Sequence, residues 1–224
     1  MQQITELTGE ALYNRELKSG TPNGSYEKGT YMVTYTGKHI FPLDPNPDDI
    51  DIKDIAHALS NNCRFGGHVR QFYSVAQHCV IVSQLCEPEN ALGGLLHDAS
   101  EAYLSDIIRP VKYTERMKGY LEIERQLEKV IAKRFSIPFP MTEDIKYADD
   151  MALIAEGYAL FKPIPDWVFR RLQGSGLSEP LYQLETCWTP LVAKGMFLKR
   201  FMELKGVKIS VPTQEEIDAA TKEN

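Results

Sequence analysis

Cysteine is scarce in this sequence. Cys63, Cys79, Cys86 and Cys187 are the only four, and no two form a CxxC pair. That spacing argues against a disulfide framework or a structural zinc knuckle and fits buried, reduced thiols in a reducing compartment. Cys79 lies beside a histidine, but a lone thiol with no basic neighbour of its own is a poor nucleophile. Positive charge is not in excess either. The 25 Lys and Arg are outnumbered by 31 Asp and Glu, a formal net charge of -6, which argues against broad binding of a nucleic-acid polymer. A local basic pocket for a small anion stays open. Long apolar runs are missing as well: the N-terminus, MQQITELTGEALYNRELKSG, is mixed and polar, unlike a signal peptide or a membrane span. The expected location is therefore cytoplasmic, with no membrane partner. No internal repeat and no low-complexity tract is present.

What the chain does have is the balance of an ordinary folded domain: 224 residues, 43% hydrophobic and 25% charged. This is enough for one substantial core and too short for two large domains. Residues 1–49 are rich in turn formers, Gly20, Pro22, Gly24, Gly29, Gly37 and the run PLDPNPDD, and read as an N-terminal extension outside the helical core. Within it the β-branched and aromatic stretch from Thr30 to Tyr35, followed by Thr36-Gly37-Lys38, predicts a short strand and a β-hairpin. From Ile50 the period becomes helical, with Ile52, Ile55, Ala56 and Leu59 on one face, and a mainly α helical core over 50–205 is expected. SVAQHCVIVSQLC reads as a buried helix with Ser74 as its N-cap. ENALGGLLHDASEAYL follows, and its Gly93-Gly94 pair suggests close helix packing despite the propensity cost. Pro110 is expected to stop the preceding segment. TERMKGYLEIERQLEKVIAKRF is then a long amphipathic helix, and another starts near Thr142 and closes at Pro163 and Pro165. Residues 163–190 read as a loop excursion, LVAKGMFLKRFMEL as a further helix, and 206–224 as a polar C-terminal tail helix. The apolar face of LVAKGMFLKRFMEL suits pairing between copies of the chain, and core burial explains it equally well.

Five histidines occur, and His68, His78 and His97 fall in the most apolar part of the chain. A divalent cation takes nitrogen and oxygen donors from several elements, and His78, the adjacent pair His97-Asp98, and Asp149 can supply them from three helices. Successive helical side chains diverge by about 100°, so His97 and Asp98 reach one ion only at a helix end or irregular turn. The plainer reading of His78 is a hydrogen-bonded core residue. Asp98 is harder to place that way, since burying a carboxylate among GGLL and AYL without a partner costs several kcal/mol. A salt bridge to Arg64 or Arg70 would satisfy it without a metal.

RFGGHVRQFYSVAQHC, then LLHDASEAYLSDIIRPVKY, then KYAD resembles the HD-domain phosphohydrolases, whose signature is H…HD…D. The likeness covers roughly 52–161 and is nearest to bacterial 5′-deoxynucleotidases and phage deoxynucleoside triphosphohydrolases, including those acting on dATP. HDASE with a later D and PVKY is specific, whereas HD alone is weak. The resemblance implies an all-helical HD-domain fold and one divalent metal ion (Zn, Co, Mn or Mg) on His78, His97, Asp98 and Asp149. It makes Glu101 the residue that orients or deprotonates the attacking water and Asp106 its companion acid or base. Arg64-Phe65 matches an Arg-aromatic pair that contacts phosphate and sugar, and Arg can grip phosphate through two parallel hydrogen bonds. Lys112 is a second cation for the phosphate tail, or a solvated lysine after a helix break. His68 could contact phosphate, support a second metal, or pack.

The activity so implied is attack by water, activated by the cation, on the phosphorus next to the nucleoside 5′-oxygen of a nucleotide substrate. The products are phosphate from a monophosphate or triphosphate from a triphosphate. Two other readings stay open: a cyclic-nucleotide or guanosine-tetraphosphate hydrolase, and a non-catalytic nucleotide-binding regulator with a decayed site.

Overall fold

The computed structural model describes residues 31–206. The expected hairpin forms: strand β1, Met32–Val33, pairs antiparallel with β2, His39–Ile40, with Met32 opposite Ile40. Thr34 and Lys38 close the turn through a 2.9 Å backbone bond, and Gly37 takes φ +84°, a left-handed conformation that glycine adopts without cost. The turn-rich stretch 1–30 and the tail helix expected beyond Gly206 lie outside the described residues.

The hairpin is not apart from the core as the sequence suggested. Ile40 and Ile50 are fully buried in the main hydrophobic cluster. The hairpin is also pinned to the first helix, α1, Ile52–Asn61. There the buried Asp54 carboxylate accepts bonds from the Thr36 backbone N–H at 2.7 Å and its hydroxyl at 2.8 Å.

The rest is helical, as the apolar periodicity requires. Helix α2, Val75–Leu85, is capped by Ser74, whose side chain accepts from the Gln77 N–H at 3.2 Å, and it is buried along nearly its whole length. It forms the axis of the molecule. Against it pack α1, α3 (Ala91–Leu96), α7 (Glu143–Leu160) and α9 (Pro190–Leu204). Between them run α4 (Glu101–Leu104), α5 (Arg109–Lys112) and α6 (Lys118–Phe135). The long segment expected as one helix through HDASE is broken: α3 ends at Leu96, and a turn over 97–100 precedes α4. Pro110 lies in the first turn of α5, where its missing N–H costs nothing, so it starts a helical turn instead of stopping one.

Residues 163–190 are not all loop. α8, Asp166–Gly174, buries Val168 and Leu172 and is tied to α7 by an Arg171–Asp150 ion pair. The remainder, up to Thr189, is held on α2 by Gln77, which donates to the Thr186 carbonyl at 2.7 Å and accepts from the Trp188 N–H at 2.8 Å. α9 buries Ala193 and Phe197 in the main core, and Arg200 anchors it on Ser83. Leu191 and Val192, at its start, stay exposed. No helix among the described residues is long and apolar enough to cross a membrane.

Gly93-Gly94 does allow close packing. A Cβ on Gly94 would lie 2.6 Å from the Cys86 Sγ and 3.2 Å from the Ser83 Cα, so α3 approaches α2 as only glycine permits. Gly94→Val is therefore expected to destabilise the protein by about 1–3 kcal/mol in urea denaturation, the range for overpacking. Gly195→Ala, on an exposed stretch of α9 where an added Cβ meets nothing within 4 Å, should stabilise it by about 0.5–1 kcal/mol.

Candidate metal centre

The close approach of α3 to α2 brings His97 opposite His78. His78 sits one turn into α2, and His97 directly follows α3. Their Nε2 atoms are 3.2 Å apart. The break after α3 turns Asp98 toward the same point: the Glu101 N–H bonds to the Asp98 carbonyl and the Ala99 N–H to the Leu96 carbonyl, a tighter winding than an α-helix. The Asp98 Oδ2 thus lies 3.2 Å from the His97 Nε2 and 3.5 Å from the His78 Nε2. From α7, the Asp149 Oδ1 lies 3.2 Å from the His78 Nε2 and 3.9 Å from that of His97. All four expected ligands converge. His78, His97 and Asp98 alone form a cluster able to hold a metal ion.

Hydrogen bonding on the far side of each ring tests the fit. The His97 Nδ1 faces the Gly94 carbonyl at 2.8 Å, and the His78 Nδ1 faces the Glu156 Oε1 at 2.6 Å. Both neighbours are acceptors, so both Nδ1 atoms carry a proton, and both Nε2 atoms face one another and the two carboxylates. Carboxylates at 3.2 Å favour positive charge on this side of each ring, whether as a proton on Nε2 or as a divalent cation bound by nitrogen and oxygen donors. Burial by itself would raise the Asp98 carboxyl, but His97, His78 and Arg64 hold it far below the usual carboxylate range. Against the same burial, His78 and His97 hold Asp149 low.

Arg64 lies on this cluster. Its Nε donates to the Glu156 Oε2 at 3.1 Å, and its Nη1 is 3.5 Å from the Asp98 Oδ2. Arg70, the other partner considered for Asp98, bonds instead to the Lys162 carbonyl. The turn Arg64–Gly67 carries three consecutive left-handed residues, Phe65 at φ +56°, Gly66 at +60° and Gly67 at +77°. For a phenylalanine that conformation stores strain, which clusters at functional sites. The Phe65 ring stands edge-on to Phe161, 5.2 Å between centroids, with the Arg64 guanidinium 5.4 Å from it.

Glu101 opens α4. It is buried, its Oε2 has no hydrogen-bond partner, and the Lys112 Nζ stands 3.9 Å from its Oε1. Burial, with Asp98 and Asp106 nearby, pushes its carboxyl well above the ordinary glutamate value. Burial raises Asp106 too, against the pull of Arg64. Lys112 is not the free cation that the sequence suggested: it bonds to Glu124 at 2.8 Å. Arg109 is the more open cation, half exposed, with its Nη2 3.5 Å from the Asp149 Oδ2. His68 is exposed at the end of the Arg64–Gly67 turn, its N–H bonded to the Phe65 carbonyl, and is not among the cluster's donors.

No family model matches the chain. Over 185 residues it is 38% identical to the Uncharacterized protein YfdR of Escherichia coli (strain K12), a span that takes in 80% of this chain and 98% of that protein. The chain belongs to the YfdR family. The Uncharacterized protein RCAP_rcc00048 of Rhodobacter capsulatus is also 38% identical, over 130 residues, 54% of this chain and 66% of that protein.

In this YfdR-family chain the residue that sequence reasoning missed is Glu156. It is fully buried and accepts from His78, from Arg64 and from the Tyr73 hydroxyl at 2.9 Å. Its signal was present: a lone carboxylate in the apolar run ALIAEGYAL poses the same problem as Asp98. Partners of this kind behind a ligating imidazole typically change metal affinity 10- to 100-fold. Glu156→Gln is accordingly expected to weaken divalent-ion binding by about that factor in isothermal titration. Tyr73→Phe, which removes one bond to the same carboxylate, should weaken it far less. Equal affinities in the two variants would remove Glu156 from this role.

Proposed function

We propose that this protein is a metal-dependent phosphohydrolase acting on the 5′-phosphate ester of nucleotides, as a 5′-deoxynucleotidase or a deoxynucleoside triphosphohydrolase. The observation that carries this reading is the meeting of the His78, His97, Asp98 and Asp149 donor atoms, with both imidazole Nε2 atoms aimed inward. The likeness of HDASE, PVKY and KYAD to the HD-domain phosphohydrolases points the same way.

His78, His97, Asp98 and Asp149 would hold the ion. A divalent cation there supplies Lewis acidity toward water and a phosphoryl oxygen. Arg64 binds the phosphate: Glu156 fixes its Nε, so its outer nitrogens can pair with two phosphoryl oxygens. The buried Glu101, with an unpartnered Oε2, orients the water and takes its proton as the oxygen bonds to phosphorus. Asp106, raised by burial, returns a proton to the nucleoside 5′-oxygen as the P–O bond breaks. Phe65 bounds the sugar. Products are a nucleoside and either phosphate or triphosphate.

A buried acid with one unpartnered oxygen favours catalysis over a nucleotide-binding regulator, because a sensor has no use for a proton acceptor beside its ligand. The test is a panel of deoxy- and ribonucleoside mono-, di- and triphosphates with Zn, Co, Mn or Mg, resolving phosphate from triphosphate. Turnover that depends on the added ion is expected, and nucleotide binding without turnover would favour the regulator. Asp98→Ala should abolish ion retention and lower turnover by at least about 100-fold. A variant that keeps both would show that the centre is assigned to the wrong residues.

A further inference from the structure

A cavity of about 290 Å³ adjoins the donor cluster, and His97 is part of its wall. It lies between α3, α6 and the segment 137–141. Leu121, Ile131 and Phe139 make its sides apolar, and Ser100, directly before Glu101, stands at its edge. It is at the small end of ligand pockets, which run to about 300–1,000 Å³, so it suits one ring system with a short polar attachment.

Its polar groups are uneven. Glu124 and Glu128 line it from α6 with Arg125 of the same helix, and Lys146, paired with Glu143 at 2.7 Å, lines it from α7. Glu124 is occupied by Lys112 at 2.8 Å and the Tyr120 hydroxyl at 3.4 Å. Glu128 makes no hydrogen bond or ion pair among the described residues. A half-buried carboxyl with no hydrogen-bond partner, and only the more distant pull of Lys112 and Arg125, calls for a ligand that brings N–H donors to it.

We propose that this cavity receives the base of the nucleotide and that Glu128, as a carboxylate, selects guanine over thymine and uracil. The proposal rests on the phosphohydrolase reading, since the cavity would seat the base while the phosphate reaches the centre beyond His97. Apolar walls suit an aromatic ring. As a carboxylate, Glu128 accepts from the two neighbouring N–H groups of guanine, whereas thymine and uracil present one N–H between two carbonyls, which a carboxylate repels. As an acid it pairs with adenine, cytosine, thymine and uracil alike, so the selection belongs to the ionised form. Burial beside Glu124 pushes the Glu128 carboxyl up to about 7, so the preference should strengthen as pH rises above that value.

The experiment has two arms. In the first, binding of 2′-deoxyguanosine and thymidine is measured at pH 8 by titration calorimetry on the full chain. Deoxyguanosine should bind about tenfold more tightly, a difference of one good hydrogen-bond pair. Glu128→Leu should bring the ratio close to one, and Leu121→Trp, which fills the cavity, should remove both. Thermal melts identify any variant that fails to fold, and Ile131→Phe then replaces it as the filling variant. In the second arm, kcat/KM for dGMP is compared with that for 2-deoxyribose 5-phosphate, which has the same ester and no base. The filling variant should lose the advantage of dGMP and leave the base-free ester unchanged. Unaltered nucleoside binding and an unaltered dGMP advantage in both variants would overturn the proposal with the phosphohydrolase intact. If the wild type hydrolyses neither ester, the phosphohydrolase reading fails. The nucleoside arm then decides on the cavity alone: binding lost on filling supports it, and binding absent or unaffected overturns it.

Discussion

Glu156 is a carboxylate with no access to water, and three groups from distant parts of the chain meet on it: the His78 imidazole, the Arg64 guanidinium and the Tyr73 hydroxyl. A buried charge is tolerated only when its bonding capacity is filled. Here that requirement binds α7 to α2 and to the strained turn over 64–67. Burial would raise the Glu156 carboxyl, but Arg64 and His78 hold it below the ordinary glutamate value, so it stays an acceptor. That charge state fixes the His78 tautomer, and the tautomer in turn aims Nε2 at His97, Asp98 and Asp149.

The second constraint is steric. α3 lies against α2 closely enough that a methyl group on Gly94 would meet the Cys86 Sγ. Without that approach the two Nε2 atoms would not stand 3.2 Å apart. The helix then breaks at once. A regular α-helix through residues 97–101 would turn Asp98 away from His97, and the tighter winding seen there keeps both donors on one point while starting α4 at Glu101.

The mainly α architecture, the hairpin, the Ser74 cap and the Gly93-Gly94 contact were legible in the sequence because each depends on residues near one another in the chain. His78, His97, Asp98 and Asp149 were legible through their motif. Glu156 was not, because its partners Tyr73 and Arg64 lie 83 and 92 residues away and no local pattern announces them. α8 was missed for a different reason. Pro163, Pro165 and the glycines of LQGSG flank it closely, and its buried stripe is only Val168 and Leu172, too short to register as a period. Lys112 looked like a free cation because Glu124, which neutralises it, sits on the following helix.

The opposed imidazoles make the centre a place of exchange. Both Nδ1 positions are committed to fixed acceptors, so a proton on Nε2 and a metal ion would compete for the same atoms. An ion bound there would release such a proton, and acid would favour the reverse. The cluster would thus tie its own occupancy to the acidity of its surroundings.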